Sequence, residues 1–220
     1  NAVVVDDVPS SVAGTAKTSS SSLTAKTSSV EDGIIAALRE NADHAIRSAD
    51  RSANLAQNSA DRAVRAERDA AIEANRCFEA LRRAVQLRDA PGATTIKNRD
   101  HAVQREQDRA KVHSAAAKRF AERASSFAYR ANGEAREAAL YKDRAVSHLM
   151  AAMDTDPSAA AAVHRARAAQ SRAVAARQLA SRASQQATDY ANRATTASFA
   201  KLDNGAALSL LFDGSLLFNP

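Results

Sequence analysis

The sequence predicts an all-α protein: an elongated, antiparallel, alanine-rich three-helix bundle with extended N- and C-terminal arms. Three observations carry that prediction. Proline removes a helical hydrogen bond and clashes with the preceding turn, and it occurs only at Pro9, Pro91, Pro157 and Pro220. Between the middle three, small apolar residues recur at steps of three and four, the stripe of a buried helix face. Finally, 55 of the 220 residues are alanine, against six phenylalanines, three tyrosines and no tryptophan. Alanine has the highest helix propensity and lets helix backbones approach closely. Helices are expected over about 31–89, 94–155 and 157–202, roughly 88, 90 and 68 Å long at about 1.5 Å per residue.

The composition also excludes several classes of protein. The 45% hydrophobic content is mostly methyl groups, and stabilisation scales with the apolar area removed from water. A thick globular core enclosing a pocket is therefore not expected. No run of eighteen apolar residues occurs, so no transmembrane helix is expected. The single cysteine, Cys77, precludes a disulfide within the chain and falls on the apolar stripe, where a small buried thiol fits.

The N-terminal arm, residues 1–30, opens with the apolar stretch Val3, Val4 and Val5 ahead of Asp6 and Asp7, an extended segment suited to docking on a partner. Residues 9–30 are rich in Ser and Thr, carry Lys17 and Lys26 and lack acids, as an organellar transit region does. A flexible arm is the expected reading of this segment; a transit remnant is the alternative, and it favours an organelle, a plastid among them, over the cytosol. Ser28 with Glu31 forms a capping-box pattern, which places the start of the first helix at 31.

The first helix has its apolar positions at Ile35, Leu38, Ala42, Ala45, Ala49, Ala53, Ala56, Ala60, Ala63, Ala70, Ala74, Cys77, Leu81 and Ala84. Residues 48–58 (SADRSANLAQN) are followed by a near-repeat, 59–69 (SADRAVRAERD). An eleven-residue period keeps the stripe straight or slightly right-handed. Over these two units the chain loosely resembles the eleven-residue motifs of late-embryogenesis-abundant proteins and exchangeable apolipoproteins, a likeness attributed to helix period. The second helix contains Asn132-Gly133, a common breaking pair. The stripe Phe120, Ala124, Ala128, Ala131, Ala135, Ala138, Ala145 and Leu149 passes through in phase, so continuity is expected. The third helix opens with Asp156 as N-cap and Pro157 at the first helical position.

Short connections make successive helices antiparallel. A fold-back near residue 92 faces Val64 with Phe120 and Tyr190, Ile35 with Leu149 and Val163, and Ile72 with Val112 and Phe199. It also brings Ile46 and Val174 together at Ala138.

Charge is uneven along the chain. The formal net charge is +6. Residues 31–89 carry ten basic and eleven acidic side chains, 94–156 twelve and nine, and 157–203 seven and two. In the third helix Arg167, Arg172, Arg177 and Arg182 recur every five residues, with no acid from 158 to 188. Successive arginines advance about 140° around the helix, which does not make a phosphate-tracking stripe. Aromatics for base stacking are also scarce, so nucleic acid is an unfavoured partner. An acidic protein or lipid headgroup suits these arginines better.

The histidines (His44, His101, His113, His148 and His164) include no i, i+4 pair of the kind that binds metal on a helix. No phosphate loop, nucleophile elbow or catalytic cysteine–histidine pattern appears, so neither catalysis nor a cofactor is expected. The C-terminal arm, 205–220, repeats Ser-Leu-Leu-Phe: 209–214 (SLLFDG), then 215–220 (SLLFNP). It places Leu210, Leu211, Phe212, Leu216, Leu217 and Phe218 beyond the helices as a docking tail. Together these features point to a non-enzymatic structural or linker subunit held among other protein subunits, with a membrane-bound complex as one setting. The alternative is a reversible lipid- or surface-binding helical protein.

Overall fold

A computed structural model of the chain describes residues 20–90, 96–152 and 156–199. The predicted docking residues Val3, Val4, Val5, Leu210, Leu211, Phe212, Leu216, Leu217 and Phe218 lie outside the described residues. Three helices account for nearly all of the rest: α1 (Ser20–Asp89), α2 (Ile96–Leu149, continued by a 3₁₀ turn over Met150–Ala152) and α3 (Pro157–Phe199). Each packs on the other two, so the expected all-α three-helix bundle is formed. At about 1.5 Å per residue they are about 105, 81 and 65 Å long.

Two boundaries differ from expectation. The first helix starts at Ser20 rather than 31, so residues 20–30 are helical and Ser28 is interior rather than a cap. No proline or glycine stands between 20 and 31 to stop the helix from extending back. The second helix ends its α-helical part at Leu149. It continues through Asn132-Gly133, as the in-phase stripe requires. At the third helix the Ser158 N–H donates to Asp156 Oδ1 at 2.8 Å, and the Ala159 N–H to the Asp156 carbonyl at 3.0 Å. That is the expected cap preceding an N1 proline.

The core is a set of heptad ladders. In α1, Ala42, Ala49, Ala56, Ala63, Ala70, Cys77 and Ala84 are at most 1% exposed. In α2, Ala110, Ala117, Ala124, Ala131, Ala138 and Ala145 are fully buried; in α3, Ala166, Ala173, Ala180, Ala187 and Ala194 are. A seven-residue burial period is the signature of left-handed winding. It replaces the straight or right-handed seam read from the eleven-residue near-repeat, which describes the polar residues of α1 and not its packing face.

The core divides into three clusters along the axis. One holds Ala42, Ala45, Ile46, Ala145, Leu149 and Val163. The middle one is flanked by Val64, Phe127 and Tyr141, and the last contains Cys77 and Leu81 with Phe120 and Tyr190 against it. The expected layers are therefore displaced. Leu149 and Val163 do meet, but opposite Ala42 and not Ile35, which is 44% exposed. Ile46 sits with Ala145, not at Ala138 with Val174. Val64 shares its cluster with Phe127, not with Phe120 and Tyr190. Ile72, Val112 and Phe199 are all exposed and form no core layer. The α1–α2 corrections share one displacement, seven residues. Because alanine recurs every seven residues on both helices, sliding by one heptad restores the same small-residue contacts. Bulky side chains off the seam then choose between the registers.

Candidate docking surfaces

Two features of the bundle surface stand apart from its evenly charged faces. The first is an overhang. Pairing of α1 with the others begins near Arg39, which reaches Asp156 at 2.7 Å. Residues 31–37 are all exposed, including Ile34 at 56% and Ile35 at 44%. This exposed stretch of α1, seven residues or roughly 10 Å of helix, thus lies beyond the level at which the other helices pack on it.

The second is a groove of about 640 Å³ between α2 and α3. It is lined by Tyr129 and Asn132 from α2 and by Arg177, Gln178, Ser181, Arg182 and Gln185 from α3, over Ala128. Tyr129 is 80% exposed. On α3, Ser181 and Gln185 form a floor between Arg177 and Arg182, which lie about 140° apart around the helix at 100° per residue.

The four arginines singled out from the sequence therefore have separate environments. Arg172 is paired across the bundle surface: it reaches Asp50 of α1 at 2.5 Å. Arg177 and Arg182 line the α2–α3 groove and make no ion pair among the described residues. Arg167 is exposed on α3, outside that groove.

Acids of α2 at this level are turned the other way. Ser59, a buried rung of α1, donates to Glu134 Oε2 at 2.9 Å, and Ser52 to Glu137 Oε2 at 3.5 Å. These two carboxylates complete the α1–α2 seam and stay out of the groove lining. The same seam is closed by Phe127, whose ring centre lies 5.9 Å from the Arg62 guanidinium and 5.8 Å from that of Arg130. Arginine stems here cover apolar surface that alanine is too small to fill.

Elsewhere, polar groups are used structurally. His113 Nδ1 lies 2.7 Å from Glu73 Oε2, and Arg76 holds the other oxygen at 2.6 Å, a bridge between α1 and α2 that sequence spacing did not reveal. Ser114 donates to the Thr195 hydroxyl at 3.3 Å and joins α2 to α3. Cys77 Sγ donates to the Ala194 carbonyl at 3.5 Å, and burial pushes its thiol up to about 12. A neutral thiol of this kind is a packing group, not a nucleophile. Burial likewise raises Tyr190, helped by the nearby Glu67 carboxylate. Among the described residues no cluster of His, Cys, Asp and Glu has metal-binding geometry, and no helix is long and apolar enough to cross a membrane.

No family model, curated protein or solved structure matches the chain.

Proposed function

We propose that the chain is a non-enzymatic structural or linker subunit: a helical rod that braces or connects components of a larger protein assembly. The observation that carries this reading is the α1 overhang. A stretch of helix that has outrun its partners keeps only its intrinsic propensity, whereas most helical stability in proteins comes from tertiary packing. This one also presents Ile34 and Ile35 to solvent. A partner surface covering that face would stabilise the overhang and bury both isoleucines. The alanine core supports the reading too, because it is long and thin: its clusters run the length of the bundle. Such a body sets a distance between its ends.

Crosslinking mass spectrometry on the native source, comparing the unaltered chain with Ile34→Asp/Ile35→Asp, tests this. Crosslinks from the overhang to other proteins, lost in the double variant while the bundle stays folded, are the expected result. Overhang crosslinks confined to the chain itself, or binding of the chain to lipid vesicles that the same variant abolishes, would overturn it.

A further inference from the structure

We propose that the α2–α3 groove is a docking site for an acidic segment of a partner protein, with Arg177 and Arg182 receiving its carboxylates and Tyr129 packing on its backbone. This inference takes the protein nature of the partner from the assembly reading above. Its electrostatic argument stands on the groove alone.

The groove is cationic. Some arginines of the bundle are matched from within: Arg172 by Asp50, Arg39 by Asp156, Arg76 by Glu73, Arg109 by Glu106. None of the groove's eight lining residues is acidic, two are guanidinium groups, and neither makes an ion pair among the described residues. Along α2, Glu134 and Glu137 are engaged by Ser59 and Ser52 on the opposite seam, and the exposed Glu122 and Asp189, one heptad from Tyr129 and Arg182, lie outside the lining. The two cations thus face an opening with no counter-charge built into its walls, which complements a negatively charged occupant.

The remaining lining selects among anions. Asn132, Gln178 and Gln185 offer amides, and Ser181 a hydroxyl, that can pair with peptide N–H and C=O groups. Tyr and Arg are the side chains most enriched at the energetic centres of protein interfaces, and here they stand together and exposed. A nucleic acid strand would need a longer cationic track and several stacking rings. The groove supplies two cations and one ring. An acidic polypeptide is the better match.

The chain has no tryptophan, so Tyr129→Trp places a unique fluorophore at the site. The full chain carrying it is titrated with polyglutamate and, separately, with oligothymidylate of equal charge at physiological salt. A saturable emission change with polyglutamate is expected. Arg177→Glu/Arg182→Glu should weaken it by about tenfold or more, and Arg165→Glu/Arg167→Glu, the same charge change outside the groove, by less than about twofold. Circular dichroism confirms that each variant folds. No saturable response, equal weakening by both pairs, or tighter binding of the oligonucleotide would overturn the assignment. Because these titrations use the isolated chain and leave the overhang untouched, their failure is separable from failure of the linker reading.

Discussion

The guanidinium of Arg39 lies 2.7 Å from Oδ2 of Asp156, while Oδ1 of the same carboxylate accepts the Ser158 N–H at 2.8 Å. One side chain thus starts α3 and ties that start to α1 at the point where the bundle ends and the overhang begins. Hydrogen bonds from Ser158, and then the Arg39 charge, hold the Asp156 carboxyl below its ordinary value of 3.8. A depressed carboxylate contributes stability above its unfolded-state value and loses it as the pH falls through the folded-state value. Asp156→Ala is therefore expected to lower the Tm at neutral pH, with the deficit shrinking as the solution is acidified below about pH 4. Asp156→Asn, which keeps a capping oxygen, should stay close to the unaltered protein. Thermal scans of the three proteins across acid pH check this. An Asn variant as unstable as the Ala variant would show that charge, not capping, dominates.

At alkaline pH the buried thiol matters. Cys77 ionises at 9.0 when unperturbed and at about 12 in the fold. A raised value means that the folded state resists losing the proton, so its contribution is intact below pH 9.0 and declines as the pH rises toward 12. The stability difference between the protein and Cys77→Ala should hold constant up to that window and change within it. Urea denaturation of both at several alkaline pH values is the measurement, and parallel curves would contradict the prediction. Native-state labelling by a thiol reagent should likewise be slow until the chain unfolds.

Gly133 is exposed within α2, and a Cβ built on it meets nothing within 4 Å. Its only effect on the helix is the entropic one, so Gly133→Ala should stabilise the protein by about 0.5–1 kcal/mol. The urea midpoint should rise with an unchanged slope. A lower midpoint would mean that the Asn132-Gly133 pair supports a local geometry that alanine disturbs.

The close-packed seam makes the opposite prediction for larger side chains. Ala56 is fully buried in the middle cluster, whose buried members are all alanine. Ala56→Leu must push them apart and should cost about 1–3 kcal/mol or more. Ala161→Leu, at an exposed position of α3, should be near neutral. Comparing their denaturation midpoints separates overpacking from any general effect of leucine.

Much of this architecture is legible in the chain itself. From Ala42 to Ala84 the predicted stripe is buried throughout, because a step of three or four has only one face to put inward, while its first two positions, Ile35 and Leu38, are not buried. The start of α3 at Pro157 was equally readable, since a cap and an N1 proline satisfy the same orphan donors wherever they occur. The docking surfaces were only half visible. Arg177 and Arg182 stood out by lacking acidic neighbours in sequence, but so did Arg172, which Asp50 claims from another helix. Tyr129, Asn132 and Gln185 carried no signal, because a groove exists only once two helices lie together. Nor could the overhang be seen, since it depends on where α2 and α3 turn back along α1.

The chain by itself thus determined three long helices, their buried faces and the close approach that alanine permits, all of which follow from local periodicity and side-chain size. Only the tertiary structure decided the register between α1 and α2, and with it the overhang and the identity of the unmatched arginines. The reason is degeneracy. A ladder of identical methyl groups repeating every seven residues is indifferent to a slide of one heptad. That choice falls to side chains such as Ile46, Val64 and Phe127, whose neighbours lie on other helices.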